Sequence, residues 1–450
     1  MSDLFINRNS GIDGEFITNA VQEHFRVNVP RYTHYYNLYK GKHEIANKTV
    51  SDENKANNKL VNDFYGQTID TIVGYFLGKP IVIHSTDSDV TSALSDVFKE
   101  NDKDDLLMEV GKEMCIKGRS AVMVYQNEDA KTRLTRIPAE NCIFVYDNIR
   151  TNELLYTIRV FTIKDGQDEY KYCEVYSKSD ITYYKEYKDT FVLDTDRENP
   201  VNHIFNEVPI VLFVNNEEEQ NDLEKIESLV NDFDKILSLT SDEHESFRNA
   251  YLMIRNMVLG TDTLQKLKEE GVIEVMEDGD VKFVTKTLQT DAVNSHLDRL
   301  KELIHKFSQV PDLSDEQFAG NLSGVAIKFK LFGLETKCII KERKMTKALK
   351  NVIRLVSIPV GIANNLTINQ NDIEIQFTRN IPDNVVELTD VVTKLQGTVD
   401  KETLLSLLPF IDNPTDVIER MEAESDIYSR DLGKSNTGFN EDVLFTGLGE

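Results

Sequence analysis

Residues 222–247 read DLEKIESLVNDFDKILSLTSDEHESF, and residues 291–310 read DAVNSHLDRLKELIHKFSQV. In the first, Leu223, Ile226, Leu229, Val230, Phe233, Ile236 and Leu237 mostly recur three or four apart, the spacing of one helix face. In the second, Val293, Leu297, Leu300, Ile304 and Phe307 share one side, and Pro311 ends the run. Glu217, Glu218, Glu219 and Asp222 sit near the start of the first helix, where its dipole favours negative charge. Between the two helices, AYLMIRNMVLG reads as a strand, DTLQKLKEEG as a short helix, and VIEVMEDGDVKFVT as a hairpin turning at Asp278 and Gly279. Two long helices bracketing a small α/β insert are the main architectural feature of the sequence.

Upstream, residues 31–44 place Tyr32, Tyr35, Tyr36 and Tyr39 on one helical face, with Gly41 as the stop. NKLVNDFYGQTIDTIVGYFLGKP (58–80) predicts a largely buried helix ended by Gly78 and Pro80. Residues 87–118 predict two more helices. From Ser120 the period changes to two. AVMVYQ, CIFVYD, LYTIRVFTI, KYCEVYS, DITYYKEY, TFVLD and PIVLFVNN predict short strands, and the first 215 residues or so read as one α+β domain.

Downstream, PDLSDEQFAGNLSG (311–324) predicts a loop, and a basic helix follows from Val325 to about Val356, ended by Pro359 and Gly361. On that helix Lys328, Lys330, Lys337, Lys341, Arg343, Lys344, Lys347 and Lys350 face only Glu335 and Glu342. Such a segment can be a solvated face, a contact to acidic neighbours in an oligomer, or an element facing phosphates. DIEIQFTRNIP predicts a strand with Ile373, Ile375 and Phe377 inward. Residues 384–430 predict helices with turns at Gly397 and Asn413–Pro414, and the last 20 or so residues a mobile tail.

The chain has 450 residues, 40% hydrophobic and 28% charged, with a net charge of −26. No run of residues reaches the ~20 apolar positions that span a bilayer. The start, MSDLFINRNSG, lacks the basic and apolar segments of a secretory signal. Cys115, Cys142, Cys173 and Cys338 are far apart, which argues against a disulfide framework or a zinc site and for a reducing cytosol.

Catalytic and cofactor motifs are absent. GYFLGKP (74–80) has three residues between its glycines and a proline after its lysine, so it is a helix end and not a phosphate loop. No HExxH and no GxSxG occurs. A Cys–His pair is not decided by spacing. The sequence therefore predicts no enzyme, no cofactor and no metal. The rivals it leaves are a hydrolase with a hidden catalytic set and an adaptor or scaffold protein.

YNLYKGKHEI, NNKLVNDFYGQTIDTIVGYFLGKPI, IPAENCIFVYD, NEVPIVLF, SGVAIKFKLFGLETK and FTRNIPDN occur in this order. Together they resemble the portal proteins of siphophages that infect Gram-positive bacteria. The resemblance implies an α+β portal fold, mostly helical, with a β-rich wing, a stem, a small α/β clip and a crown. It implies the wing over 1–220, stem helices over 221–248 and 290–310, and the clip over 249–289. A tunnel loop over 311–324, a wing-spanning helix and returning strand over 325–385, and a crown over 386–430 complete it.

The same resemblance implies a ring of about twelve subunits in the virion at one capsid vertex, assembled in the host cytoplasm with no membrane. Its partners would be double-stranded DNA passing through the channel, the terminase large subunit, a head–tail connector or adaptor, and the major capsid and scaffolding proteins. Asp312, Asp315, Glu316, Gln317 and Phe318 would line the narrowest part of the channel, with Pro311, Gly320 and Gly324 as loop hinges. Lys328, Lys330, Lys341, Arg343, Lys344 and Lys347 would contact a neighbouring subunit or the DNA.

Overall fold

The first long helix, α1 (Gly14–Tyr39), starts where the Asp13 carboxylate accepts the Phe16 N–H at 2.8 Å. The sequence predicted a helix over residues 31–44, but α1 begins at Gly14 and runs through Pro30. Its first turns carry Ile17, Ala20 and Val21, which pack against Ile143, Val145, Ile158, Val160, Cys173 and Val175. Burial of about 1.5–3 kcal/mol per large apolar side chain outweighs the backbone hydrogen bond that a proline forfeits. Gly41, at φ 75°, follows its end as predicted.

The computed structural model describes residues 3–51, 55–150, 153–166, 168–247, 251–255, 280–284, 290–313, 324–381, 391–408, 411, 414, 417, 418, 420 and 421. They fall in two units, Met1–Asn380 and Ile381–Glu450.

In the first unit α2 (Phe64–Leu77), α3 (Ser88–Glu100) and α4 (Lys103–Lys117) follow α1. One sheet has the order β1 (Leu4–Ile6), β5 (Cys142–Asp147), β6 (Leu154–Asp165), β7 (Asp168–Tyr176), β8 (Asp180–Tyr187), β10 (Val201–Asn202), with β9 (Thr190–Leu193) also on β8. The β6–β7 register pairs Ile158 with Val175 and Val160 with Cys173. The period of two sends these residues to the α1 side, while Phe161 and Tyr172 stack on the other. A second sheet has the order β11 (Ile210–Val214), β3 (Arg119–Gln126), β4 (Thr132–Ile137).

Residues 58–62 depart from the sequence prediction. They are not the first turns of α2, which is capped at Asp63. They lie along α5 (Glu227–Phe247) instead. The N–H groups of Asn62, Leu60 and Asn58 donate to Asp234 at 2.9 Å, Ser238 at 2.9 Å and Asp242 at 2.6 Å. Four helix residues rise about 6 Å and two extended residues about 6.6 Å, so the two ladders keep step. Asp234, which is fully buried, also accepts from His43 Nδ1 at 2.5 Å and Asn62 Nδ2 at 2.8 Å.

α5 packs beside α6 (Thr290–Ser308). Between them β12 (Tyr251–Arg255) pairs antiparallel with β13 (Asp280–Val284), Tyr251 opposite Val284. The helix predicted over 262–271 and the hairpin turn at Asp278–Gly279 lie outside the described residues. Of the stripe predicted on α6, Leu300 and Ile304 are buried and Phe307 is exposed.

The basic helix is α7 (Gly324–Asn364), longer than predicted. It passes through Pro359 and Gly361, because Val356, Pro359 and Val360 are buried there and packing outweighs helix propensity. It stops where Asn365 turns left-handed at φ 53° and the Leu366 N–H reaches the Gly361 carbonyl at 3.0 Å. Beyond it, β14 (Ile373–Gln376) pairs with β2 (Val82–Ser85), Ile373 opposite Ser85. The strand next to α2 thus finds its partner almost 300 residues later, and the compact unit extends to Asn380. Phe377 stacks on Phe76 at 5.4 Å, and Arg379 grips Glu335 at 2.9 and 3.0 Å and Glu342 at 2.6 Å. In the second unit, 391–395 are helical, Gly397 turns at φ 86°, and Asp400 caps α8 (Lys401–Ser406).

The acidic run after β11 does not begin a helix, since α5 starts only at Glu227. Its members meet cations from other elements: Glu217 with Lys344, Glu219 with Arg119, Asp222 with Lys341 and Lys337, and Glu224 with Arg31. Lys341 and Asp222 are buried, 2.5 Å apart, and Asn215 accepts a further hydrogen bond from Lys341. Burial pushes the Asp222 carboxyl up, but Lys341 and Lys337 outweigh it and hold the group below the ordinary carboxylate value. Burial lowers Lys341, and Asp222 more than reverses that.

Two predictions follow from these buried polar contacts. Asp222→Ala strands the Lys341 ammonium and should cost about 3–5 kcal/mol in urea unfolding, most of it recovered when Lys341→Met is added. The Asp222 contribution is in place above about pH 4 and is lost as pH falls through its depressed pKa. The Lys341 contribution is in place below about pH 10 and is lost as pH rises through its raised one. A wild-type-minus-double-mutant stability difference that varies between pH 5 and 9 would contradict this. Ser238→Ala should cost about 1 kcal/mol and speed hydrogen exchange at the Leu60 amide, with no change at amides of β6.

Candidate functional site

The predicted loop leaves α6 through a fixed turn. Gln309 is left-handed at φ 59°, and the buried Val310 N–H donates to Ser308 Oγ at 3.3 Å. His305 Nδ1 donates to the Val310 carbonyl at 3.0 Å. The His305 ring lies edge-on to Phe64, which meets Phe233 of α5 at 5.1 Å. The chain exit is thereby tied to α2, α5 and α6 together. Pro311 follows, and Asp312 is drawn back onto α6 by Lys301 at 2.6 Å. Asp315, Glu316, Gln317, Phe318 and Gly320 lie outside the described residues. Gly324 is the first residue of α7.

α7 carries two faces. Leu331, Leu334, Cys338, Lys341, Met345, Ala348 and Val352 are buried at steps of three and four. Lys341 occupies one position of this inner stripe, which corrects its assignment to an intersubunit or DNA-facing surface. It faces Cys115, Asn215 and Asp222 of its own chain. Lys344 is also engaged within the chain, by Glu217. Lys328, Arg343 and Lys347 are exposed and Lys330 is half-buried. The two acids on the helix, Glu335 and Glu342, are held by Arg379, and Tyr75 adds a hydrogen bond to Glu335 at 2.7 Å.

Asp234, Ser238, Asp242 and Arg379 are structural groups that sequence reasoning did not single out, and Asp222, read there as a charge near a helix start, is the buried partner of Lys341. The spacing of Asp234, Ser238 and Asp242 by four along α5 is the signal that would have found them. Lys341, three residues after Cys338 and four before Met345, carries a similar one.

Among the described residues no group of His, Cys, Asp and Glu could hold a metal ion, and no helix is long and apolar enough to cross a membrane. All four cysteines are free and buried. Burial pushes the Cys115, Cys142 and Cys338 thiols up to about 12. They stay protonated at neutral pH and offer no thiolate nucleophile.

Residues 19–430 match the family model described as phage portal protein, SPP1 Gp6-like. The portal protein of Bacillus phage SPP1 is 24% identical over 408 residues, covering 87% of this chain and 81% of that one. The portal protein of Clostridium phage phiCD119 is 25% identical over 441 residues, covering 91% and 95%. A solved structure of the neck of a native GTA particle is similar at TM-score 0.42 and 9% identity, over 78% of this chain and 90% of that one. With the family match running through α1, both long helices, α7 and α8, the chain belongs to the phage portal protein family.

Proposed function

We propose that copies of this chain close into a ring of about twelve subunits whose bore passes double-stranded DNA into the capsid during packaging and out of it on ejection. The observation that carries the reading is the chain order within a portal-family protein: helix α5, the β12–β13 pair, helix α6 and the long helix α7. On this reading residues 1–220 are the wing, 221–248 and 290–310 the stem helices, 249–289 the clip and 311–324 the tunnel loop. Residues 325–385 are the wing-spanning helix and returning strand and 386–430 the crown, and the predicted tail, 431–450, lies outside the described residues. The clip meets the terminase large subunit during packaging and a head–tail connector afterwards. The ring sits at one vertex of the virion capsid, assembled in the host cytoplasm with major capsid and scaffolding proteins.

A conduit must let DNA slide. Each phosphate neutralised by a lysine or arginine adds grip, because counterions are released. A chain with a net charge of −26 has little positive surface to offer a duplex over the length of a bore. Asp315, Glu316, Gln317 and Phe318 would face the DNA, with Asp312 held to α6 by Lys301 at the root of the loop and Pro311, Gly320 and Gly324 giving the loop its pivots.

Negative-stain images of the purified chain and of virions should show a ring with a central hole, and only compact monomers in both would refute the proposal. Deleting residues 314–319 should leave rings intact and block packaging. Full heads from that mutant would remove the loop from the mechanism.

A further inference from the structure

The outer face of α7 is left uncovered by its own chain, and its character changes once along its length. Val325 is 62% exposed, Phe329 77% and Phe332 68%, and Ile339 and Ile340 are exposed as well. Continuing in steps of three and four, the same face carries Arg343, Lys347, Lys350 and Arg354, all exposed. The face is therefore one stripe of about 30 residues and about 45 Å, apolar in its first half and basic in its second. The basic half opens on a groove of about 580 Å³ that also has Gln370 and Asn371 in its wall and no acid. Arg354 reaches Glu207 at 2.6 Å and Lys347 shares a cavity wall with Glu217, whereas Arg343 and Lys350 make no ion pair or hydrogen bond among the described residues.

We propose that this stripe is an interface between copies: its apolar half seats on an apolar surface, and its basic half on an acidic surface, of a second copy of the chain. The inference rests on the ring reading and specifies where the ring is held. Two observations choose the occupant. DNA would satisfy the cations but offers its phosphate backbone, not an apolar surface, to Phe329 and Phe332. A second copy supplies both, and with 77 acidic against 51 basic residues it is an anionic partner. A closed ring of identical subunits also requires each to present a patch that only a neighbour completes.

The test places a photo-crosslinking residue at position 332 or 347 of the full-length chain in assembled rings and in filled virions. Covalent bonds between copies are expected from both positions. Bonds confined to one copy, or to packaged DNA, would overturn the proposal. In parallel, Phe329→Asp with Phe332→Asp, and Lys347→Glu with Lys350→Glu, should each lower the ring fraction at least tenfold while far-UV circular dichroism is unchanged. If the unaltered chain forms rings and both variants form them equally well, the interface is wrong and the ring reading stands. If the unaltered chain forms no ring even in virions, the ring reading itself falls.

Discussion

A lysine ammonium held out of water is the constraint on which the placement of the long helices depends. Lys341 stands among Leu334, Cys338 and Met345 on the inward side of α7, where an unpaired charge would cost several kcal/mol. Its oxygen partners come from one short stretch, Asn215 just past β11 and Asp222 just before α5, and Cys115 of α4 adds a sulfur contact at 3.4 Å. Nearby, Arg119 at the start of β3 holds Asp3 at 2.8 Å and Glu219 at 2.9 Å, and Arg31 of α1 donates to the Glu219 carbonyl at 3.1 Å. The polar connection between the sheets and the first long helix is thus a hub on which α1, β3, α5 and α7 converge. Hydrophobic packing would allow these helices to slide; matched buried charges fix one register.

The same helix shows why a charge run cannot be read as a unit. Positions that alternate by three and four divide its cations between two surfaces. Lys341 belongs to the inner set and is consumed by the fold. Arg343, two residues on, lies on the opposite side and is exposed. Glu335 and Glu342 look like scattered relief of a basic helix, yet both are claimed by Arg379, which sits between them and the Phe76 ring at 5.5 Å. What remains on the outer surface is more uniformly basic than the sequence suggests.

Much of the architecture was legible because it rests on local pattern. CIFVYD and DITYYKEY coincide with β5 and β8, and the two helices of residues 87–118 with α3 and α4. The strands that escaped notice, β1, β2, β4 and β10, are short or weakly patterned, and β1 and β2 find partners far away in sequence, Val145 for Leu4 and Ser85 for Ile373. Pro359 misled for a related reason: it breaks an isolated helix, but burial of Val356 and Val360 on either side carries the helix through. Residues 58–62 were read as helix because Leu60 and Val61 precede Phe64 at plausible spacing. Their hydrogen-bond partners lie on α5, nearly 180 residues away, and no local pattern carries that information. Lys341 was misassigned by composition, which counts charges and ignores phase.

The charge distribution then acquires a mechanical meaning. Within the first unit, cations are spent in pairs: Lys117 on Glu113 and Glu140, Arg119 on Asp3 and Glu219, Lys341 on Asp222. A chain so rich in acids that still exposes a row of cations, Arg343, Lys347, Lys350 and Arg354, on one helix face keeps positive charge where a neighbour can neutralise it. If that row is closed by the next copy, assembly removes from solvent the positive surface most able to grip phosphates. Ring formation and low friction for DNA would then be two results of one arrangement, since the contacts that hold the subunits together are those that would otherwise hold the duplex.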